Sequence, residues 1–133
     1  MGTIDIKNCV IADHKEGGIL TWGVRENSSK IMKNKIERNS IGIHTMGEEY
    51  KLRVCQNQIH SNKIGIKVGL ACEVEISRNS ICENGSGIEV YSSFPVIYLN
   101  KINKNKENGI ATRSYKRMIC SAKIKKNVSI TGN

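Results

Sequence analysis

The sequence predicts an all-β solenoid of about six coils, each about 22 residues long. Three observations predict it. A unit of the form Ile-x-x-Asn-x-Ile-x-x-Asn, followed by Gly-Ile-x-Val, recurs along nearly the whole chain. Its apolar positions alternate, are filled mostly by Ile, Val and Thr, and are punctuated by Asn and Gly instead of recurring at helical spacing. Large rings are scarce, with one Trp, one Phe and four Tyr in 133 residues, as a narrow core stacked from branched side chains requires.

The coils follow in order. The first is degenerate, with Asn8, Val10, Asp13, Gly18-Ile19 and Thr21. The second reads Ile31, Asn34, Ile36, Asn39, Gly42-Ile43, Thr45, and the third Val54, Asn57, Ile59, Asn62, Gly65-Ile66, Val68. The fourth is Ile76, Asn79, Ile81, Asn84, Gly87-Ile88, Val90, and the fifth Ile97, Asn100, Ile102, Asn105, Gly109-Ile110, Thr112. The sixth offers Ile119, Ala122, Ile124 and Asn127. Measured at the first Asn column, positions 8, 34, 57, 79, 100 and 122 are 26, 23, 22, 21 and 22 residues apart. Helical repeats need roughly 34 residues or more, and no leucine ladder is present, so three short strands and three turns fill each coil.

Each column has a physical reason. Inward Ile, Val and Thr from coils stacked about 4.8 Å apart form ladders that close one core. Asn suits the corners because it tolerates left-handed backbone and its amide can bond the Asn of the next coil. Gly before the third strand is expected to supply positive φ.

The units Asn79-Ser-Ile-x-x-Asn84-x-x-Gly87-Ile88-x-Val90 and Pro95-Val96-Ile97-x-x-Asn100-x-Ile102 resemble the right-handed parallel β-helix repeat family. The copies in F-box substrate receptors, SHC-binding proteins and NosD-like proteins are the most similar. The resemblance covers roughly residues 4–130 and implies one β-helix domain over 1–133. It specifies the fold far better than the function, since the same coil serves sugar-cleaving enzymes and non-catalytic scaffolds. A solenoid is usually capped, and neither end carries a cap, so neighbours in a longer chain or an assembly are expected.

Composition narrows the function. No apolar run approaches the roughly 20 residues of a membrane span, and the N-terminus lacks a signal-peptide pattern, which points to a cytoplasmic protein. Gly2 is followed by Ile6 where a myristoylation motif wants Ser or Thr. Five cysteines at no metal-like spacing (Cys9, Cys55, Cys72, Cys82, Cys120) fit reduced thiols.

The carbohydrate-acting branch of the family implies clustered acids on one outer face. Asp5 and Asp13 both fall in the first coil, while Glu37 and Glu83 share a column two coils apart with His60 between them. Glu73 and Glu75 read as solvated strand-edge charges. No acid pair has a supporting third group, and His14, His44 and His60 do not converge. The expectation is therefore no enzyme, no metal and no cofactor, with a pectate-lyase-like polysaccharide binder or cleaver as the alternative.

Charge and aromatics point to a partner. Residues 101–133 hold nine basic side chains (Lys101, Lys104, Lys106, Arg113, Lys116, Arg117, Lys123, Lys125, Lys126) and one acid, against 12 basic and 11 acidic before them. By repeat alignment Lys101 stacks with Lys123 and Lys104 with Lys126, an arrangement that invites an anionic surface. Trp22, Tyr50, Tyr91, Phe94 and Tyr115 fall after the third strand, along one edge, where aromatics and Arg suit a protein contact. The expected role is a non-enzymatic scaffold docking acidic protein surfaces, with tubulin-like cytoskeletal or ciliary filaments as one version. Nucleic acid is the weaker partner because the lysines lack interleaved stacking rings. An F-box role is weakened by the absence of an F-box segment.

Overall fold

Sixteen short strands and no helix make up the described residues of the computed structural model, which are 3–23, 29–48, 50–114 and 122–127. In chain order they are β1 (Asp5–Lys7), β2 (Val10–Ala12), β3 (Gly17–Trp22), β4 (Lys30–Met32), β5 (Lys35–Glu37), β6 (Ile41–Met46), β7 (Tyr50–Cys55) and β8 (Gln58–His60). Then come β9 (Ile64–Val68), β10 (Glu73–Ser77), β11 (Ser80–Cys82), β12 (Ser86–Tyr91), β13 (Val96–Tyr98), β14 (Lys101–Asn103), β15 (Asn108–Arg113) and β16 (Lys123–Lys125). Every third strand joins the same parallel sheet. The first sheet is β1-β4-β7-β10-β13-β16, the second β2-β5-β8-β11-β14 and the third β3-β6-β9-β12-β15. This gives five complete coils and the opening strand of a sixth.

Register stacks like on like. Ile6, Ile31, Val54, Ile76, Ile97 and Ile124 form one inward ladder, and Ile11, Ile36, Ile59, Ile81 and Ile102 another. Ile19, Ile43, Ile66, Ile88 and Ile110 form the third. Within the inner coils these side chains are wholly buried. Each contributes on the order of 2 kcal/mol of apolar transfer.

Two ladders of buried asparagine hold the corners. Asn34, Asn57, Asn79, Asn100 and Asn127 line the first corner, between the first and second sheets; Asn39, Asn62, Asn84 and Asn105 line the second. At Asn57, Oδ1 accepts from the backbone N–H of Asn34 at 3.0 Å and from its Nδ2 at 3.1 Å. Asn57 Nδ2 in turn donates to the Ile31 carbonyl at 2.9 Å and to Asn79 Oδ1 at 3.0 Å.

Four expectations are corrected by this register. The left-handed residue at each corner is the one before the Asn: Lys33, Gln56, Arg78, Leu99 and Lys126 at the first corner, and Arg38, Ser61, Glu83 and Lys104 at the second, with φ between 54° and 61°. The Asn itself is reserved for the ladder. In the first coil the ladder positions are therefore Cys9 and His14, whose N–H groups donate to Asn34 and Asn39 Oδ1 at 3.0 Å, and not Asn8 and Asp13.

Gly42, Gly65 and Gly87 do not have positive φ. They are glycine because a Cβ would lie 2.5, 2.6 and 2.5 Å from the glycine carbonyl of the next coil.

The sixth coil also begins later than the spacing suggests. Asn127, not Ala122, follows Asn100 in the ladder, with Asn100 N–H to Asn127 Oδ1 at 3.0 Å. Only an amide can continue the ladder, so the last coil step lengthens to 27 residues. Lys123 consequently stacks on Val96 and not on Lys101. Lys126 stacks on Leu99 and not on Lys104. Finally, Glu37 and Glu83 are in different columns. Glu37 pairs with His60 and His60 with Cys82, while Glu83 is a corner residue.

Candidate interaction surface

Side chains that leave the core at the first corner come from three neighbouring columns. The last column of the first sheet is Lys7, Met32, Cys55, Ser77, Tyr98 and Lys125. The left-handed column is Asn8, Lys33, Gln56, Arg78, Leu99 and Lys126. The first column of the second sheet is Val10, Lys35, Gln58, Ser80 and Lys101. Together they carry seven cations (Lys7, Lys33, Lys35, Arg78, Lys101, Lys125, Lys126) and no acid, and all seven are exposed.

Two of these cations lean on acids from outside the ridge, Lys7 on Asp5 at 3.4 Å and Lys35 on Glu37 at 3.6 Å. Among the described residues the other five make no ion pair.

The second corner is different in kind. Its left-handed column reads Asp13, Arg38, Ser61, Glu83 and Lys104, with two charges of each sign. Arg38 holds Asp13 through paired bonds of 2.7 and 3.0 Å and reaches Glu37 at 2.9 Å, while His60 Nε2 lies 3.2 Å from Glu37. The Arg38 hydrogen bond pulls the Asp13 carboxyl below its ordinary range. Burial pushes Glu37 up, but Arg38, with Lys35 and His60, outweighs it and leaves that carboxyl lowered as well.

The basic residues expected to form one C-terminal face are spread around the coil. Lys101, Lys125 and Lys126 meet at the first corner. Lys104 and Lys106 lie at the second, in an open groove shared with Lys63, Glu83, Glu89 and Glu107. Lys123 faces outward from the first sheet beside Glu75, Val96 and Lys125. Arg113 ends the third sheet opposite Tyr91. Lys116, Arg117 and Tyr115 lie outside the described residues, as do Ile119 and Cys120.

The aromatic edge is divided too. Trp22, 70% exposed, closes β3 opposite Met46, and Tyr91 closes β12 under the Lys67 ammonium at 5.1 Å. Phe94 instead lines an open groove of about 810 Å³ on the first sheet. Tyr50 opens β7 on that same sheet.

The corner cations Lys7, Lys33, Lys35 and Arg78 were absent from the expected set. Lys33 and Arg78, with Lys126, share one sequence signal, the position directly before a first-corner Asn.

On the first sheet two acids are engaged: Asp5 pairs with Lys7, and Glu75 accepts from the Tyr98 hydroxyl and lies 3.7 Å from Arg53. Among the described residues no three His, Cys, Asp or Glu side chains gather as a metal site. No helix there is long and apolar enough to cross a membrane.

The family model for the right-handed β-helix region matches residues 2–133, nearly the whole chain. The chain belongs to the right-handed β-helix family. No curated protein and no solved structure matches this β-helix.

Proposed function

We propose that this β-helix is a non-enzymatic docking scaffold that presents its basic first corner to an acidic partner protein in a larger assembly. The observation that carries this reading is the ridge of seven exposed cations without an acid. Opposed charges would neutralise such a ridge at little cost, yet no described acid stands in its three columns, and only Asp5 and Glu37 reach in from beside it to pair with Lys7 and Lys35. No two of these cations stack directly in one column, but seven of one sign gathered along a single corner create a positive field, and an anionic partner neutralises it. Asp13, Glu37 and Glu75 are tied to Arg38, His60, Tyr98 and Arg53, which suits support better than acid–base work. An acidic cytoplasmic filament such as tubulin is one partner of this chemistry.

Cross-linking in native extract, with identification of the linked proteins, tests the reading. The linked partner segment should be acidic, and the link should weaken with added salt. It should also be lost when Lys33, Arg78, Lys101 and Lys126 are changed to Glu. Links that survive the reversal unchanged refute the role of the ridge.

A further inference from the structure

The cations of the first corner form two groups along the solenoid axis. Lys7, Lys33 and Lys35 occupy the first two coils, and Arg78, Lys101, Lys125 and Lys126 the fourth to sixth. The third coil between them presents Cys55, Gln56 and Gln58, all uncharged. With coils about 4.8 Å apart, the first and sixth lie on the order of 24 Å apart, the length of roughly seven residues of extended chain.

We propose that this corner binds an extended acidic polypeptide segment laid parallel to the solenoid axis, with two acidic clusters separated by a short uncharged spacer. The inference rests on the docking reading and names its ligand. A corner is convex, so a flat rigid surface meets it along one line. A flexible segment can settle over all three columns. Carboxylates on one side of a strand recur at about 6.6 Å against about 4.8 Å for the coils, and long lysine arms absorb the mismatch.

Nucleic acid fits less well. Six of the seven cations are Lys, which lack the planar fork that grips phosphate, and the one ring in these columns, Tyr98, has its hydroxyl committed to Glu75.

The test is fluorescence anisotropy with a labelled peptide of three Glu, Gly-Ser and three Glu. Its competitors are a peptide with six contiguous Glu after Gly-Ser and a seven-nucleotide oligothymidine. The bipartite peptide should bind a few-fold tighter than the contiguous one and tighter than the oligonucleotide.

Changing Lys33, Arg78, Lys101 and Lys126 to Glu should weaken binding by about tenfold or more, since four exposed attractions each become a repulsion. Changing Lys15, Lys63, Lys104 and Lys106 to Glu alters net charge equally at the second corner and should leave affinity within about twofold. Circular dichroism checks both folds, and Lys→Gln with Arg78→Gln replaces the reversal set if that set fails to fold.

Equal loss from the two corners, no binding of the bipartite peptide, or tighter binding of the oligonucleotide each overturns the proposal. If the peptide fails while ridge reversal still abolishes the native cross-link, this inference falls and the docking reading stands. If reversal changes neither, both fall.

Discussion

Replacing Asn79 by Ala tests whether the asparagine ladder, and not the aliphatic core alone, couples the coils. Asn79 sits in the fourth coil, with coils on either side, and has 2% of its surface exposed. Its Nδ2 donates to the Val54 carbonyl at 2.9 Å and to Asn100 Oδ1 at 3.0 Å, and its Oδ1 accepts the Asn57 N–H and Nδ2, both at 3.0 Å. Alanine removes all four bonds. Asn57 Nδ2 keeps its bond to the Ile31 carbonyl, and Asn100 Oδ1 keeps the bond from the Asn79 N–H. The Asn57 N–H is left buried without that acceptor, and the Val54 carbonyl loses its side-chain donor. At about 1–3 kcal/mol for each buried group left unmade, the loss is about 3 kcal/mol. Urea unfolding should show a midpoint lowered by roughly 1–3 M at unchanged slope, given about 1–3 kcal/mol per M for a chain of this size. Asn127→Ala is the matched control, because Asn127 is only half-buried and water can replace its bonds. If Asn79→Ala costs no more than Asn127→Ala, or less than about 1 kcal/mol, the ladder is not what joins the coils.

Gly65→Ala should be among the costliest single-methyl additions in the chain, because the new Cβ meets the Gly87 carbonyl at 2.6 Å and neither backbone can yield without parting two coils. Gly17→Ala, whose Cβ would meet nothing closer than 3.7 Å, should shift the thermal midpoint little, and equal shifts for the two would discard the close-approach argument. Acid titration of stability has a defined sign at the second corner. Asp13 and Glu37 are both lowered from ordinary values of 3.8 and 4.5, so their contribution is complete above those values and is lost as pH falls below them toward the folded values. Arg38→Gln should flatten that acidic decline in the urea midpoint while leaving the region above pH 5 nearly level, and an unchanged decline would show that Arg38 is not its source.

The fold was legible because stacking forces every coil to solve the same problem with the same residue. A ladder needs Ile above Ile and amide above amide, so the columns appear in the sequence as a period. What the period did not reveal is which backbone task each column performs. Asn is common in left-handed corners, yet here it is spent on the buried ladder and its predecessor takes the strained turn. Glycine implied positive φ, yet its reason is a carbonyl 2.5 Å away in the next coil. The sixth coil was misregistered because Ile119-x-x-Ala122 imitates Ile-x-x-Asn in its apolar position. The position that fixes register is the amide.

The surface was harder to read, for a geometric reason. A window of about 22 residues visits every face of a solenoid once, so the described cations of this run, Lys101 to Arg113 and Lys123 to Lys126, are spread around the coil instead of forming one patch. A patch is written instead as one residue per coil at a fixed repeat position.

The two left-handed columns make this comparison sharp. Both ask the same of the backbone, and that conformation favours Gly, Asn or Asp over other side chains, as Asn8 and Asp13 in the first coil illustrate. A Lys or Arg there sets about 1 kcal/mol or more against the turn. The second column accepts that strain with charges of both signs, among which Arg38 binds Asp13. The first column accepts it with Lys33, Arg78 and Lys126, none of which meets an acid among the described residues. The fold requires no cation at those three positions and local preference opposes each one, so their common sign is the feature that the proposed docking role would account for.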